Sequence, residues 1–385
     1  TVRVACTTWL IIWSFYICRS VIHRWRPEVV STIFGVSKVS CTISIISTRA
    51  CAKGPVQRTE WRADPVHGGH TNMAACASVS RLDVESHTSP DSPLLDLIDW
   101  LQELDLLPSS MICARCPDVD MEMRSRGDIG DRYAWRCPTC RTSRSIRFGS
   151  VFEEFRKIPL PIWIRFIFKW CEDKLITDIQ TELESIGYVG EKTLSEMCRL
   201  MRGLCESKLR DQPVIPMGGS TTILEIDESC FRKSPKYGKG KRCKPIWVFG
   251  ICRTDKKPAI GFMTVVESRS EATLLPIIER CVLPNSTIHS DQWAGYRNLR
   301  HLPNISHHGT VNHSRHFVDP QTGVHTQTIE AYWSRKKAKL RRMHGCYGED
   351  TESYLQELMW KERYCKTAVE GLNNLLSYIA ETYPV

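Results

Sequence analysis

The chain has 385 residues, of which 42% are hydrophobic and 25% are charged, and these proportions exclude an intrinsically disordered chain. A formal net charge of +9 favours a polyanionic partner, although charge alone does not separate nucleic acid from an anionic membrane. The 18 cysteines do not indicate a secreted disulfide scaffold, because the chain is long and rich in core residues, so we expect a reducing compartment.

The first 72 residues do not match the rest of the sequence in composition. The chain begins with Thr1, and its first methionine is Met73. The apolar run from Thr8 to Ile17 is too short to span a bilayer. We predict that residues 1–72 are conceptual translation upstream of the true start. The alternative is a genuine but poorly ordered extension.

Residues 73–110 predict a linker followed by one amphipathic helix. Residues 78–92 are polar and rich in serine, which is typical of a linker. Apolar residues then recur at helical spacing from Leu94 to Leu104, after a proline suited to a first helical turn. Pro108 ends the run.

Two CxxC pairs, Cys113 with Cys116 and Cys137 with Cys140, are separated by twenty residues. Each pair can turn two thiolates toward one tetrahedral Zn²⁺ ion, and the separation is typical of a zinc ribbon. We therefore predict a ribbon over residues 111–149 that holds a structural Zn²⁺. The alternatives are four unrelated buried cysteines or a redox CxxC, which lacks a thioredoxin-like context here.

Arginines with interleaved aromatic residues surround the second cysteine pair. We predict that Arg141, Arg144 and Arg147 contact DNA phosphates, with Tyr133 and Trp135 nearby. A solvated basic face is the alternative.

Residues 150–211 predict a helical module. Proline-bounded apolar runs indicate several helices, and a helix from Glu191 to Leu209 follows the turn at residues 187–190. The outline is that of a helix-turn-helix, which any helical bundle also resembles. We predict that Lys192 and Arg199 bind DNA here.

Residues 220–345 alternate strand-like and helical runs in the order of a ribonuclease H-like α/β fold. The runs are Thr222–Asp227, Pro245–Cys252, Pro258–Val266, a helix at Glu271–Cys281, a strand at Thr287–Asp291 and a helix at Thr326–Arg342. In that order the first and fourth strands are neighbours, so Asp227 and Asp291 come together and Glu330 approaches from the helix. Residues 346–385 predict C-terminal helices.

Three clustered acids repel one another unless divalent cations lie between them. Mg²⁺ prefers oxygen ligands and keeps substrate phosphate in its shell. Two such ions about 3.5–4 Å apart can stabilise the attacking and the leaving oxygen at phosphorus. We therefore predict that Asp227, Asp291 and Glu330 bind Mg²⁺ or Mn²⁺ and are catalytic, with Lys337 within reach of a phosphate.

Basic residues flank these acids on both sides. The turn after the first strand carries Lys236, Lys239, Lys241 and Arg242, and the long helix carries Lys336. We predict that they bind the phosphate backbone of DNA, although a charge run is usually a solvated face.

The order of the motifs is specific to one family. After the CxxC pairs come Glu-Ile-Asp-Glu (225–228), His-Ser-Asp-Gln-Trp-Ala-Gly-Tyr (289–296), Val-Asn-His-Ser-Arg-His-Phe-Val-Asp-Pro (311–320) and Gly-Val-His-Thr-Gln-Thr-Ile-Glu-Ala-Tyr-Trp-Ser (323–334). Over about residues 90–365 the chain resembles the Merlin transposases, which are eukaryotic DNA transposases similar to bacterial insertion-sequence enzymes.

This resemblance implies a DDE transposase with a zinc ribbon and a helix-turn-helix in front. The catalytic acids then fall on Asp227, Asp291 and Glu330. In some bacterial relatives an asparagine takes the third position, which could here be Gln327. We prefer Glu330 because a carboxylate is the better metal ligand.

The implied reaction uses two Mg²⁺ ions to cut DNA at the element's ends, after which the freed 3′-hydroxyl attacks target DNA. One alternative is a non-catalytic DNA-binding protein descended from a transposase, and another is a ribonuclease H-like nuclease that cuts without joining. A transposase must bridge two ends, so we expect a homodimer or a larger assembly on DNA. We expect no membrane partner, and a nuclear location if the host is eukaryotic.

Six histidines lie between His301 and His325. We predict that they line a loop near the active site, where His313 or His325 could hydrogen-bond DNA or orient an acid. A second metal site is the alternative, although the histidines show no HxxxH-type pattern with an acid. Asp319 and Glu228 rank below the three acids, and Asp319 with Pro320 predicts a turn.

Overall fold

The computed structural model describes residues 78–211, 217–233, 244–345 and 348–385. The predictions for residues 1–72 and for Lys236, Lys239, Lys241 and Arg242 lie outside the described residues. Every helix within the described ranges is too short or too polar to cross a membrane.

Helices and strands follow one another largely as the sequence predicts. The helices are α1 (Arg81–His87), α2 (Leu94–Glu103), α3 (Leu160–Cys171), α4 (Ile176–Leu183), α5 (Glu191–Asp211), α6 (Glu271–Cys281), α7 (Gln327–Arg342), α8 (Thr351–Tyr364) and α9 (Ala368–Thr382). The strands are β1 (Glu122–Ser125), β2 (Tyr133–Arg136), β3 (Ser143–Ser145), β4 (Met217–Gly218), β5 (Ile223–Arg232), β6 (Ile246–Arg253), β7 (Gly261–Val266), β8 (Val282–Leu283), β9 (Ser286–Asp291) and β10 (Ile305–Val311).

The predicted linker over residues 78–92 is wrong in part, because it contains α1. The Ser80 hydroxyl accepts a hydrogen bond from the Asp83 amide, and the Asp83 carboxylate accepts one from the Ser80 amide, which is a capping box. The Asn373 side chain on α9 bonds to both main-chain polar groups of Val79 at 2.8 Å. The segment is therefore tied to the C-terminal helix.

Two apolar cores organise the described residues. The first joins the ribbon, helices α1 to α5 and α9, and it includes the fully buried Trp163. The second lies across the five-stranded sheet and includes residues of α6, α7 and α8. The C-terminal helices thus contribute to both cores.

The larger sheet has the strand order β10-β9-β5-β6-β7. β5, β6 and β7 are antiparallel neighbours, whereas β9 is parallel to β5 and β10 is parallel to β9. The first and fourth of the predicted strands are therefore side by side, as the ribonuclease H-like order requires. The fifth strand, β10, was not predicted, because its consecutive histidines break the apolar pattern.

The first strand of this sheet is longer than predicted. The sequence indicates an end at Asp227, but β5 continues to Arg232, and Asp227 pairs with Gly250 of β6 in the middle of the strand. The residues before and after Asp227 are therefore both paired with β6, which fixes the main chain at Asp227.

A charge cluster joins the helical module to α7 and α8. The Asp173 carboxylate, which follows α3, accepts hydrogen bonds from Lys339 (2.8 Å), Lys361 (2.9 Å) and Arg342 (2.6 Å). Burial opposes ionisation, but the two lysines hold the pKa of Asp173 well below its usual range. The acid is therefore charged at neutral pH and links three helices.

Arg147 does not contact DNA in this fold, which corrects the prediction. Its side chain is 1% exposed. Nε and Nη2 bind the Asp131 carboxylate. Nη1 donates to the main-chain oxygens of Phe152, Phe155 and Ile158. The guanidinium holds the ribbon against the start of the helical module.

We expect Arg147→Ala to lower the free energy of unfolding by about 3–5 kcal/mol, because it leaves a carboxylate and three carbonyls without their buried partner. Arg136→Ala, at an exposed position on β2, is the control and should change it by less than about 0.5 kcal/mol. Urea unfolding of the full chain measures both, and equal small effects would contradict the structural role.

Candidate active site

The pairing of β5 with β9 brings two of the predicted acids together. The last paired residues of these parallel strands are Glu225 and His289. The same offset, carried two residues further, aligns Asp227 with Asp291. The strand register therefore holds like charges together just beyond the last paired residues of β5 and β9, in the middle of the sheet.

The electrostatics of Asp227 reflect this arrangement. Burial, and next to it the charge of Asp291, raise the pKa of Asp227 to about 7, and Glu330 adds to the repulsion. The Trp333 indole opposes the shift, because its Nε1 donates to Asp227 Oδ2 at 2.9 Å. The other two predicted acids therefore both act on Asp227.

Trp333 reaches Asp227 only because β6 has a glycine beneath it. A Cβ added at Gly250 would lie 2.4 Å from Trp333 Cη2. Phe231 packs against the indole edge-to-face, with ring centroids 5.7 Å apart. Gly250 thus permits the close approach of α7 to the strand that carries Asp227.

Three alternate residues in the middle of β5 accept hydrogen bonds from α7. The three pairs are Glu225 with the Ile329 amide (2.9 Å), Asp227 with the Trp333 indole (2.9 Å) and Ser229 with the Lys337 ammonium (2.7 Å). Four residues advance a helix by about 6 Å, and two residues advance a strand by about 6.6 Å. The spacing of the donors on α7 therefore matches the spacing of the acceptors on β5. This ladder fixes the position of α7, and with it Glu330, along the strand.

Glu225 is a positioning residue that was not predicted. It is fully buried, and burial raises its pKa. No side chain caps α7 at Thr326. Instead Glu225 Oε2 binds the Ile329 amide in the first turn, where an anion is favourable. Its other oxygen, Oε1, lies 3.3 Å from His325 Nδ1. The clue in the sequence is an acid inside an apolar strand, two residues before Asp227.

Glu330 is the least constrained of the three acids. Its side chain is 52% exposed, and Oε1 lies 3.8 Å from His313 Nδ1, while His313 Nε2 is 2.6 Å from the Thr326 hydroxyl. Gln327, the alternative third residue, is exposed at the start of α7. Among the described residues, three or more potential metal-binding atoms lie within 4.8 Å of one another only in the cysteine quartet, so the three acids do not all come within that distance of one another.

That quartet consists of Cys113, Cys116, Cys137 and Cys140, and it lies at the end of the β1-β2 hairpin. The amide of Arg115 donates to Cys113 Sγ, and the amide of Cys140 donates to Cys137 Sγ, both at 3.4 Å. Amide donors stabilise thiolates, and four sulfurs are the donor set that a tetrahedral Zn²⁺ prefers. The cluster could therefore bind zinc.

Lys337 lies close enough to Asp227 for the two charges to interact, and its contact with a phosphate stays a prediction. Its Nζ donates to the Ser229 hydroxyl at 2.7 Å and to the Cys230 carbonyl at 2.9 Å. Burial lowers the pKa of Lys337. Because both of these acceptors are uncharged, the ammonium can also contact an anion.

Glu228, which ranked below the three acids, shares their environment. Its side chain is 4% exposed and accepts the Tyr296 hydroxyl. Burial raises the pKa of Glu228 to about 7, and Asp227 and Asp291 contribute to the increase. Asp319, in contrast, caps the predicted turn by accepting the amides of Gln321 and Thr322.

The predicted DNA-binding lysine on α7 is a structural residue. Lys336 is 8% exposed, its Nζ pairs with Glu362 of α8, and it lies 5.0 Å from the centre of the Tyr332 ring. The prediction that Lys336 binds DNA is therefore wrong, because its face of α7 packs on α8.

Four other predicted contacts remain accessible. Arg141 is exposed, and Arg144 lies over the Phe148 ring at 4.1 Å. Lys192 and Arg199 are exposed on α5. Their contact with DNA stays a prediction.

We expect Glu225→Ala to release the first turn of α7. Hydrogen exchange at the Ile329 amide should accelerate by at least about tenfold, because the amide loses its buried acceptor. Glu225→Gln keeps an acceptor of the same size and should retain most of the protection.

Glu352→Ala is the matched control, since Glu352 is also a largely buried carboxylate that accepts a main-chain amide, that of Val265 at 2.8 Å. It should leave the Ile329 amide unchanged. Unaltered protection in Glu225→Ala would contradict the positioning role.

Sequence comparison adds to this geometry. The profile of the ISXO2-like transposase domain matches residues 221–363, a range that contains all three acids and Lys337. A protein of Haemophilus influenzae described as an uncharacterized transposase-like protein is 32% identical over 100 residues, which cover 26% of this chain and 78% of that protein.

Two more distant similarities extend beyond these. Male abnormal protein mab-31 of Caenorhabditis elegans is 22% identical over 209 residues, which cover 50% of this chain and 47% of that protein. The catalytic core domain of BIV integrase is 16% identical, covers 39% of this chain and 86% of its own, and superposes with a TM-score of 0.26. Because this TM-score is too low to support an argument, the assignment of a ribonuclease H-like fold depends on the strand order alone.

Proposed function

The chain belongs to the ISXO2-like transposase family, and we propose that it is a DNA transposase that cuts at the ends of its element and joins the freed 3′ ends to target DNA. The observation that carries the proposal is the placement of Asp227 beside Asp291, with Glu330 on α7 adding to the repulsion at Asp227. Carboxylates that repel one another in this way are suited to binding divalent cations.

The carboxylates fit Mg²⁺ or Mn²⁺ by their chemistry and by their hydrogen bonds. Trp333 engages one oxygen of Asp227, and the Trp293 amide engages one oxygen of Asp291 at 3.0 Å. Donors of this kind orient carboxylate ligands and leave the second oxygen for a cation. When bound, such cations activate the attacking oxygen and stabilise the leaving oxygen at phosphorus.

The chain's own residues would position the DNA around these acids. The Lys337 ammonium, held by Ser229, is suited to a phosphate oxygen next to Asp227. Arg141 and Arg144 on the ribbon, and Lys192 and Arg199 on the helical module, would bind the backbone further away. The Cys113-to-Cys140 quartet would hold the structural Zn²⁺ of the ribbon.

Three finer statements belong to the same proposal. The chain would be of the Merlin type, its helical module would act as a helix-turn-helix, and two or more copies would assemble because two DNA ends must be joined. The motif order supports the first statement, and the turn before α5 supports the second.

The experiment is Mg²⁺-dependent cleavage and joining of a labelled duplex that carries the ends of the element encoding this chain. Asp227→Asn, Asp291→Asn and Glu330→Gln should each lower cleavage by at least about a hundredfold, because metal-assisted stabilisation contributes several kcal/mol. Asp255→Asn, which alters only an acid paired with Arg253, should cleave normally.

Each of the other outcomes would indicate a different function or a different site. Binding of the duplex without cleavage by the unaltered chain would indicate a non-catalytic DNA-binding descendant. Cleavage without joining would indicate a nuclease. Normal cleavage by all three acid variants would place the reaction elsewhere in the chain.

A further inference from the structure

A stack of two tryptophans and one arginine lies close to the candidate catalytic acids. The Arg269 guanidinium lies 3.9 Å from the ring centre of Trp247 and 4.5 Å from that of Trp293. Trp247 belongs to β6, and Trp293 follows Asp291 by two residues. The stack therefore extends from the sheet to the segment that leaves the candidate active site.

Trp293 is held in place by several contacts. Its amide donates to Asp291 Oδ1, and its Nε1 donates to the Arg269 carbonyl, both at 3.0 Å. Gly295 permits this packing, because a Cβ there would lie 2.9 Å from Trp293 Nε1 and 2.8 Å from the Arg269 oxygen. The indole is thus fixed relative to a candidate catalytic carboxylate.

Trp293 nevertheless remains 38% exposed. Single exposed apolar residues are ordinary on protein surfaces, and Phe317 is more exposed still at 76%. What distinguishes Trp293 is that its ring is immobilised, its indole N–H is already bonded to the protein, and its main chain contacts Asp291. A fixed ring of this kind can stack a planar group without further loss of side-chain freedom.

Arg269 adds a positive charge that is only weakly compensated. Its nearest acidic oxygen, Glu228 Oε2, is 4.0 Å away, at the limit of an ion pair. The other oxygen of Glu228 accepts the Tyr296 hydroxyl. The guanidinium is therefore available to a phosphate group.

We propose that Trp293 and Arg269 form a nucleotide subsite that holds one base of the DNA outside the helical stack, next to the phosphate that is cut. Trp293 stacks the base and Arg269 contacts its phosphate. The inference rests on the proposed function, and it specifies the substrate as DNA that is locally unpaired at the cleavage point.

A base leaves the duplex only at a cost in pairing and stacking energy. Stacking of one base on an aromatic side chain increases the affinity for DNA by about five- to a hundredfold. A substrate whose base is already unpaired avoids the cost, so it should bind and react better than a fully paired one.

The direct test is photocrosslinking of the full chain to a duplex with 5-iodouracil beside the cleavage point, followed by mass spectrometry of the crosslinked peptide. We expect the crosslink at Trp293, and its loss in Trp293→Ala. Phe148→Ala is the matched control, because Phe148 also stacks with an arginine, Arg144, but lies on the ribbon. It should retain the crosslink.

A second readout separates base stacking from a merely structural role. Trp293→Ala should lower cleavage of a paired duplex by about five- to a hundredfold, Trp293→Phe should recover most of it, and an unpaired base at the cleavage point should partly rescue Trp293→Ala. A crosslink elsewhere, no loss in Trp293→Ala, or a loss that neither change repairs would overturn the subsite.

These experiments distinguish a failure of the nucleotide subsite from a failure of the proposed transposase activity. A crosslink at Trp293 in a chain that does not cleave would retain the stacking of a base on Trp293 and refute the transposase. Cleavage and joining without a crosslink at Trp293 would retain the transposase and refute the subsite.

Discussion

Two acids held side by side by a parallel strand pair are the constraint on which the rest of this structure depends. The offset between β5 and β9 aligns Asp227 with Asp291, and burial together with their mutual repulsion raises the pKa of Asp227 to about 7. A fold gains nothing in stability from such an arrangement. Its maintenance is explained by a ligand that carries positive charge, and divalent cations that also bind phosphate satisfy this requirement.

The neighbouring elements fix the positions of the acids relative to one another, despite their repulsion. α7 donates hydrogen bonds to three alternate residues of β5, from Glu225 at the first turn of the helix to Ser229 two turns later. At its other end, α7 is joined through Lys339 and Arg342 to Asp173, which follows α3 of the helical module. The helix that carries Glu330 thus connects the five-stranded sheet to the helices that precede it in the chain.

The sequence predicts the elements well and the roles of charged side chains less well. Local periodicity indicates the helices and strands, and the CxxC spacing indicates the ribbon. The strand order and the neighbouring aspartates follow only once the order of the elements is matched to a ribonuclease H-like fold. Arg147 and Lys336 resemble surface cations by composition, yet both are buried by tertiary packing that no local pattern reveals. Glu225 was missed for the opposite reason, since a buried acid is recognised only once the Ile329 amide is seen against it.

The central claim is tested most directly by the pKa of Asp227, measured by NMR on protein with ¹³C-labelled aspartate carboxyls and assigned with Asp227→Asn. Without divalent cations the account predicts a pKa of about 7, because burial and Asp291 disfavour the charged form. Added Mg²⁺ should lower it, since a bound cation favours the carboxylate. A pKa near the ordinary value of 3.8 without cations, or one that Mg²⁺ does not change, would contradict the account.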